Sequence, residues 1–337
     1  MNTDPPLHSS RYEAGGAAPS AGASVGDWWR GARPRTLGAG SVPVVLGTAA
    51  AGQAIWWRLA AALVVGAGLQ VGVNYANDFF DGVRGVDTRE RLGPPRLTAT
   101  GAASPRAVLF AALASLGVAA VAGLALALAT EPLVILFVGA LALMAAFLYS
   151  GGPRPYAGLG LGELMVFAFF GLMATAGSAF VMVEAVPAAA WWGGATLGFL
   201  AVAILVANNL RDIATDEASG KRTLAVRIGD RATRRLYRVA VVAAFATIAL
   251  GVIVDIAVDG AGLPQWALFG LGAWALAIRP MEAVGSAAGR DLIPVLTGTA
   301  ATHAACGLLM ALGLVLGTVD RSSYDAVPAA LMIWHTA

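Results

Sequence analysis

The sequence predicts an all-α polytopic membrane protein, a bundle of nine transmembrane helices. Its 337 residues are 58% hydrophobic and only 12% charged, and the mean hydropathy is +0.72. Nine apolar stretches approach the roughly 20 residues that a helix needs to cross a bilayer. Lys and Arg concentrate in alternate connections, as they do in membrane proteins. This composition excludes an ordinary soluble domain.

The nine predicted spans follow one another along most of the chain. They are residues 37–55, 59–80, 106–129, 132–150, 161–183, 190–210, 234–256, 263–279 and 291–317. Abundant Gly and Ala within them favour close packing, because lipid offers no hydrophobic drive for helix association. We therefore expect one domain over residues 28–320 and a C-terminal extension at 321–337.

The chain ahead of the first span has a different composition. Residues 1–27 are rich in Gly, Ala, Ser and Pro and lack an apolar core, which predicts a disordered cytoplasmic tail rather than a signal peptide. Trp28 and Trp29 follow this segment. We expect them to lie at the membrane–water interface, because tryptophan is enriched at the depth of the lipid headgroups.

Charge placement sets the predicted orientation. Twenty of the 22 Lys and Arg residues fall on one face of the predicted bundle, and the exceptions are Arg58 and Arg321. This asymmetry predicts a cytoplasmic N-terminus and an external C-terminus in the cell (inner) membrane. The arginines are spread through short loops, so they do not indicate nucleic-acid binding. Cys306 is the only cysteine, so no intrachain disulfide can form.

An acidic, asparagine-led cluster lies where the second predicted span ends, in the segment NYANDFFDGVRGVD that begins at Asn74. Its polar residues recur every three to four positions, which predicts one stripe facing the bundle interior. The stripe consists of Gln70, Asn74, Asn77 or Asp78, and Asp81. Asp87 follows on a loop that can fold back over a cavity. Because a charge at the centre of a spanning helix costs roughly 2.5–3.5 kcal/mol, such clustering indicates function.

A second cluster ends the sixth predicted span, where Asn208, Asp212 and Asp216 are spaced four residues apart. Together the clusters offer carboxylate and amide oxygens without His or Cys, a ligand set that suits Mg²⁺. Two such clusters facing the cytoplasm suggest two ions that clamp a diphosphate. The predicted metal ligands are Asn77, Asp78, Asp81, Asp87, Asn208, Asp212 and Asp216. Interhelical salt bridges at the wet end of the bundle are the alternative interpretation.

Basic side chains lie near both clusters, as diphosphate binding would require. Lys221 is the only lysine and follows Asp212 by nine residues, and its compact ammonium group suits phosphate oxygens. Arg84, Arg96, Arg154 and Arg222 are further candidates, although membrane topology alone also accounts for each arginine. The expected role of Glu163, at the start of the fifth predicted span, is to favour a helix N-terminus by its charge.

The two clusters resemble the paired aspartate-rich motifs of the UbiA superfamily of intramembrane aromatic prenyltransferases. The first is Asn77-Asp78-Phe79-Phe80-Asp81 with Asp87, and the second is Asp212-x-x-x-Asp216. RPRTL from Arg33, GGPRPY from Gly151 and NNLRDIATDEASGKRTLAVRIGD from Asn208 are similar to the branch that prenylates 1,4-dihydroxy-2-naphthoate in menaquinone biosynthesis. The likeness runs from about residue 28 to residue 318.

The resemblance implies a nine-helix bundle with a cytoplasm-facing cavity, a lateral opening to lipid, two Mg²⁺ ions and a polyprenyl diphosphate donor. It implies prenyl transfer to 1,4-dihydroxy-2-naphthoate with loss of CO₂ and diphosphate, giving demethylmenaquinone. Both motifs would hold Mg²⁺, with Asn208 as a further member, and Asp78, Asp81, Asp212 and Lys221 would be the catalytic residues. Lys221, Arg222 and Arg154 would contact the diphosphate. Tyr149, Tyr156 and Asn74 would face the acceptor or the prenyl cation.

Three other functions stay open at this point. One is prenyl transfer to a different aromatic acceptor. Another is a CDP-alcohol phosphotransferase, since DFFDG from Asp78 resembles the start of that motif, although Gly85 and Val86 break it. The third is a cation or metabolite transporter, because buried acids in membrane helices can bind coupling ions. A transporter does not account for the basic groups beside the acids.

Overall fold

The computed structural model describes residues 22–87 and 96–325 of the chain, and from residue 319 onward it describes the backbone alone. The described residues are helical, without a strand among them. Residues 1–21, 88–95 and 326–337 lie outside the description. The predicted disordered tail 1–27 and C-terminal extension 321–337 stay predictions, although one helix begins at Val25 and another continues to Asp325.

Twelve α-helices make up the described structure. They are α1 Val25–Ala32, α2 Leu37–Ala50, α3 Trp56–Val83, α4 Leu97–Thr100, α5 Pro105–Leu128, α6 Pro132–Leu148, α7 Gly162–Val166, α8 Ala174–Val183, α9 Ala188–Ala218, α10 Leu224–Ala257, α11 Trp274–Ala283 and α12 Leu292–Asp325. A π-helical turn, Phe167–Met173, joins α7 to α8. Short 3₁₀ segments lie at Pro34–Thr36, Tyr156–Leu159, Gln265–Ala273 and Gly289–Asp291.

All nine predicted spans fall on helical segments, but the helices differ in length. Six segments within the described residues are long and apolar enough to cross a membrane. They are Trp56–Val83, Pro105–Leu128, Gly162–Val183, Ala188–Ala218, Leu224–Ala257 and Gly289–Thr318. Of the other three, α2 has 14 residues with Pro43 inside it, α6 has 17, and the eighth begins as a 3₁₀ segment. The protein is therefore an all-helical, multi-pass membrane protein.

Two helices extend beyond their apolar stretches into polar sequence. The sixth predicted span ends at residue 210, whereas α9 continues to Ala218. The next predicted span begins at residue 234, whereas α10 begins at Leu224 and has a kink with non-helical backbone at Gly229. Hydropathy detects only the part of a helix that contacts lipid or core, and the polar segment RDIATDEA still contains good helix formers. Asp212 and Asp216 are consequently held on a rigid helix.

The largest core cluster joins α9, α10 and α12. Leu197, Leu200, Ile248 and Met310 are among its fully buried large side chains. α3 packs mainly on α5, and α2 contacts α8, α9 and α12. Phe110, Leu133 and Phe137 on α5 and α6 are exposed, as expected for side chains that face lipid tails. A cavity lies between the pair of α3 and α5 and the group formed by α2, α8 and α9.

The π-helical turn brings α7 against α9. A Cβ at Gly171 in this turn would lie 2.4 Å from the Cα of Gly198 on α9. No side chain fits at that separation, so the close approach depends on glycine. Turns of this kind occur frequently at functional sites. Here the approach seats the start of α7, including Glu163, against the polar half of α9.

Candidate active site

A cavity of about 630 Å³ lies between α2, α3, α5, α6, α8 and α9. Its walls are mostly apolar, with Val44, Val65, Leu126 and Val181 among the lining residues. Acidic, amide and basic side chains gather at one end, where α3 and α9 terminate. This polar end consists of Asn77, Asp81, Asp87, Arg96, Asn208, Asp212, Asp216 and Lys221. The structure therefore brings both acidic clusters into one cavity, next to an apolar chamber.

Lys221 connects the two clusters. Its Nζ donates a hydrogen bond to Asp81 Oδ2 at 2.9 Å, and its backbone N–H donates to the carbonyl oxygen of Asp216 at 2.8 Å. This return of the chain after α9 is possible because Gly220 adopts a left-handed conformation with φ of 76°, which glycine tolerates best. Burial alone would lower the pKa of Lys221, but the carboxylates of Asp81 and Asp216 outweigh burial and raise the pKa above 10.5.

The chain also folds back over the end of α3. The backbone N–H of Asp87 donates to the carbonyl oxygen of Asp81 at 3.2 Å, which places the Asp87 side chain at the cavity. Asp87 Oδ2 lies 2.9 Å from Arg96 Nε, and both side chains are buried. The contact is an ion pair without hydrogen-bond geometry, and Arg96 Nη1 is buried without a hydrogen-bond partner in the described part of the chain. Arg96 is thus a charged group with unused donor capacity at the polar end.

The chain matches the model of the UbiA prenyltransferase family over residues 40–281, most of its length. It belongs to the UbiA prenyltransferase family. It is 44% identical to the 1,4-dihydroxy-2-naphthoate octaprenyltransferase of Mycobacterium tuberculosis, over 88% of this chain and all of that protein. The Mycobacterium leprae enzyme of the same name is 47% identical over 82% of this chain and 92% of its own length.

A solved UbiA homolog from Archaeoglobus fulgidus, bound to GPP and Mg²⁺, has the same fold. The TM-score is 0.56, and the match covers 84% of this chain and 99% of that one at 17% identity. Together with the family match, this makes the chain a membrane-embedded prenyltransferase of the UbiA family. The family assignment inferred from the two aspartate motifs is confirmed.

Asp78 occupies a different environment from the one that its motif suggests. It does not line the cavity and is only 1% exposed. Its Oδ2 accepts a hydrogen bond from the backbone N–H of Leu97 at 2.8 Å, and its Oδ1 accepts one from Thr98 at 2.9 Å. Asp78 therefore anchors the start of α4, immediately after Arg96. The roles of Asp78 as metal ligand and catalytic residue stay predictions, and both of its carboxylate oxygens accept hydrogen bonds from backbone N–H groups in this structure.

Three predicted diphosphate contacts also lie away from the cavity lining. Arg84 donates to the carbonyl oxygens of Ser150 and Gly152 at 2.6 and 2.5 Å, and so ties the end of α3 to the loop after α6. Arg154 and Arg222 are exposed. Of the five basic candidates, the structure brings only Lys221 and Arg96 to the polar end.

The three predicted acceptor contacts all line the cavity. Tyr149 and Tyr156 pack edge to face with ring centroids 5.4 Å apart. Asn74 donates to the carbonyl oxygen of Ala32 at 2.9 Å, so it also fixes the chain after α1. Arg33 lines the cavity as well, and the sequence analysis did not single it out as a site residue. The signal that could have identified Arg33 is its position in the segment RPRTL, which resembles the family.

Arg211 adjoins the polar end without lining the cavity, and charge placement in the sequence assigned it to membrane topology alone. Its guanidinium holds both carboxylate oxygens of Asp212, at 2.7 and 2.6 Å, and donates to Asn208 Oδ1 at 2.8 Å. The pair is almost fully buried. Such a bidentate contact fixes the rotamers of both partners. Arg211 thereby orients the second acidic cluster from behind, because it does not itself line the cavity.

Proposed function

We propose that this protein transfers a polyprenyl group from polyprenyl diphosphate to 1,4-dihydroxy-2-naphthoate, with loss of CO₂ and diphosphate, giving the quinol form of demethylmenaquinone. The observation that carries the proposal is the meeting of two acidic clusters and Lys221 at the polar end of an apolar cavity. This arrangement suits a molecule with an anionic head and a long hydrocarbon tail. The naphthoate acceptor is supported by the names of the mycobacterial relatives.

The donor set of the polar end fits Mg²⁺. Within the described residues no group of three or more His, Cys, Asp or Glu side chains is arranged to hold a metal ion. Mg²⁺ does not need one, since it usually takes one or two protein carboxylates and completes its shell with water and phosphate oxygens. We propose Asn77, Asp81 and Asp87 as one ligand group and Asn208, Asp212 and Asp216 as the other. When bound, the ions would stabilise negative charge on the leaving diphosphate.

The residues of the chain would perform three tasks in the transfer. Lys221 and Arg96 donate hydrogen bonds to the diphosphate oxygens as the allylic C–O bond breaks, when the charge on those oxygens grows. The apolar walls exclude water that would otherwise capture the prenyl cation. Tyr149 and Tyr156 lie beside the polar end, where a ring carbon of the acceptor would meet that cation.

The hydrocarbon tail has an exit from the cavity towards lipid. Leu124 on α5 and Leu136 on α6 both line the cavity and are about half exposed, at 46% and 47%. A residue that lines the cavity and is also exposed on the outside of the protein indicates that the cavity wall is open at that place. We therefore propose that the polyprenyl tail passes between α5 and α6 into the membrane.

We further propose nine membrane crossings, with the N-terminus in the cytoplasm and the C-terminus outside the cell (inner) membrane. Support comes from the nine helical segments and from the one-sided Lys and Arg residues. The polar end then faces the cytoplasm, where water-soluble aromatic acids are present.

The direct test incubates the purified protein with Mg²⁺, polyprenyl diphosphates of different lengths and a panel of aromatic acids, with products identified by mass. We expect a prenylated naphthoquinol that forms only with Mg²⁺ and with release of diphosphate and CO₂. Transfer to a different aromatic acid alone would revise the acceptor. Release of CMP from a CDP-alcohol, or ion-driven uptake into vesicles without diphosphate release, would contradict prenyl transfer.

The environment of Asp78 leads to a separate prediction. Asp78→Asn should raise the KM for polyprenyl diphosphate roughly tenfold or more, because an amide cannot accept both backbone hydrogen bonds that seat α4 and Arg96. Binding of Mn²⁺, used as a spectroscopic substitute for Mg²⁺, should not change. Loss of Mn²⁺ binding with an unaltered donor KM would instead assign Asp78 to the metal site.

A further inference from the structure

A buried glutamate lies behind the wall of the cavity. Glu163 occupies the first turn of α7 and is only 7% exposed. It is not part of the cavity lining. Its Oε1 accepts a hydrogen bond from Asn209 Nδ2 of α9 at 3.0 Å. A charge favoured only by the helix N-terminus would need no partner on another helix, so the contact with α9 calls for its own explanation.

The contact determines which way the Asn209 amide points. A carboxylate oxygen can only accept a hydrogen bond, so Asn209 must turn its NH₂ group towards Glu163. The carbonyl oxygen then lies on the opposite side of the amide. Asn209 itself lines the cavity, and the hydrogen bond that its side chain makes within the described residues is the one from Nδ2 to Glu163. A hydrogen-bond acceptor is therefore presented to the cavity.

The position of this acceptor suits the aromatic substrate. Asn209 follows Asn208 and precedes Asp212 by three residues, so it borders the polar end without belonging to the acidic stripe of α9. Tyr149 also lines the cavity. An amide oxygen cannot donate a hydrogen bond to diphosphate, which lacks donors at neutral pH, but it can accept one. It suits a ring hydroxyl group.

We propose that Glu163 is a positioning residue that directs the carbonyl oxygen of Asn209 into the cavity, where it accepts a hydrogen bond from a ring hydroxyl of the acceptor. The substrate class is thereby a hydroxylated aromatic acid, and the inference rests on the proposed function. Ring acids without the recognised hydroxyl are poor ligands, because they leave the Asn209 carbonyl unpaired when water is displaced.

Equilibrium binding tests the inference without turnover. Dissociation constants are measured under anaerobic conditions for 1,4-dihydroxy-2-naphthoate, 1-hydroxy-2-naphthoate and 4-hydroxy-2-naphthoate. For the unaltered protein we expect one of the two monohydroxy acids to bind about tenfold to hundredfold more weakly. Glu163→Ala and Asn209→Ala should each reduce that discrimination to nearly one, and the double variant should be no worse than either alone.

Kinetics supply the second readout. Both single variants should raise the KM for the naphthoate acceptor without changing the KM for polyprenyl diphosphate, and Glu163→Gln, which keeps an accepting oxygen, should restore much of the acceptor affinity. Glu282→Gln, at an exposed glutamate of α11, is the matched control. Unchanged discrimination in folded Glu163→Ala, or equal increases in both KM values, would overturn the inference. If the protein discriminates between the dihydroxy and monohydroxy acids but transfers no prenyl group, the proposed reaction would be overturned. The role of Glu163 and Asn209 in binding would stand.

Discussion

Asp81→Asn and Asp216→Asn are each expected to lower kcat/KM for prenyl transfer about a thousandfold. A divalent ion contributes several kcal/mol of charge stabilisation to a leaving diphosphate, and each 1.36 kcal/mol of barrier corresponds to about a factor of ten in rate. The two residues come from different helices and both line the polar end. The asparagines preserve the size of the side chains, so the folded structure should persist.

The matched control is Glu217→Gln, which removes an exposed carboxylate immediately after Asp216. Its activity should equal that of the unaltered protein. Mn²⁺ binding followed by electron paramagnetic resonance should fall in both aspartate variants and not in the control. Normal turnover by either aspartate variant would refute the assignment of the polar end as the site of metal-dependent transfer.

Arg211→Met is expected to reduce stability more than other single substitutions at the polar end. Removing one partner of a buried ion pair leaves an uncompensated charge, here on Asp212, and costs about 3–5 kcal/mol. Thermal unfolding in detergent should shift downward, on the order of 5 °C. Arg211→Lys should recover only part of this loss, because an ammonium group cannot hold both carboxylate oxygens and Asn208 together.

Magnesium gives this prediction a specific signature. If Asp212 is a metal ligand, Mg²⁺ should stabilise Arg211→Met more than the unaltered protein, since the ion would compensate the same carboxylate. Arg231→Met, at an exposed position of α10, should behave like the unaltered protein. An Arg211→Met protein with unchanged thermal stability would show that the buried pair does not hold the second cluster in place.

The acidic residues were predictable, but the assignment within each cluster was not. The helical repeat allowed either Asn77 or Asp78 to belong to the stripe that faces the bundle interior. Neighbouring residues on a helix point about 100° apart, and the sequence does not show which of the two directions faces the cavity. In the structure Asn77 lines the cavity, whereas the Asp78 carboxylate accepts hydrogen bonds from the backbone of Leu97 and Thr98. The deciding segment, α4, is four residues long and has no periodic signal of its own.

The basic residues show the same limit. The predicted topology places twenty of the Lys and Arg residues on one face of the bundle, so their sequence positions do not separate substrate contacts from orientation signals. Lys221 stood out because it is the only lysine. Arg96 and Arg84 looked alike in the sequence, but one reaches the cavity and the other holds backbone carbonyls after α6.

The sequence alone determined the class of protein, the helical segments and the two oxygen-rich clusters, because hydropathy, charge asymmetry and residue spacing act locally along the chain. Only the tertiary structure decided which side chains meet. The contacts between Lys221 and Asp81, and between Glu163 and Asn209, join residues 140 and 46 positions apart. They depend on close approaches such as that of Gly171 to α9, and helix packing of this kind is set by the whole bundle at once.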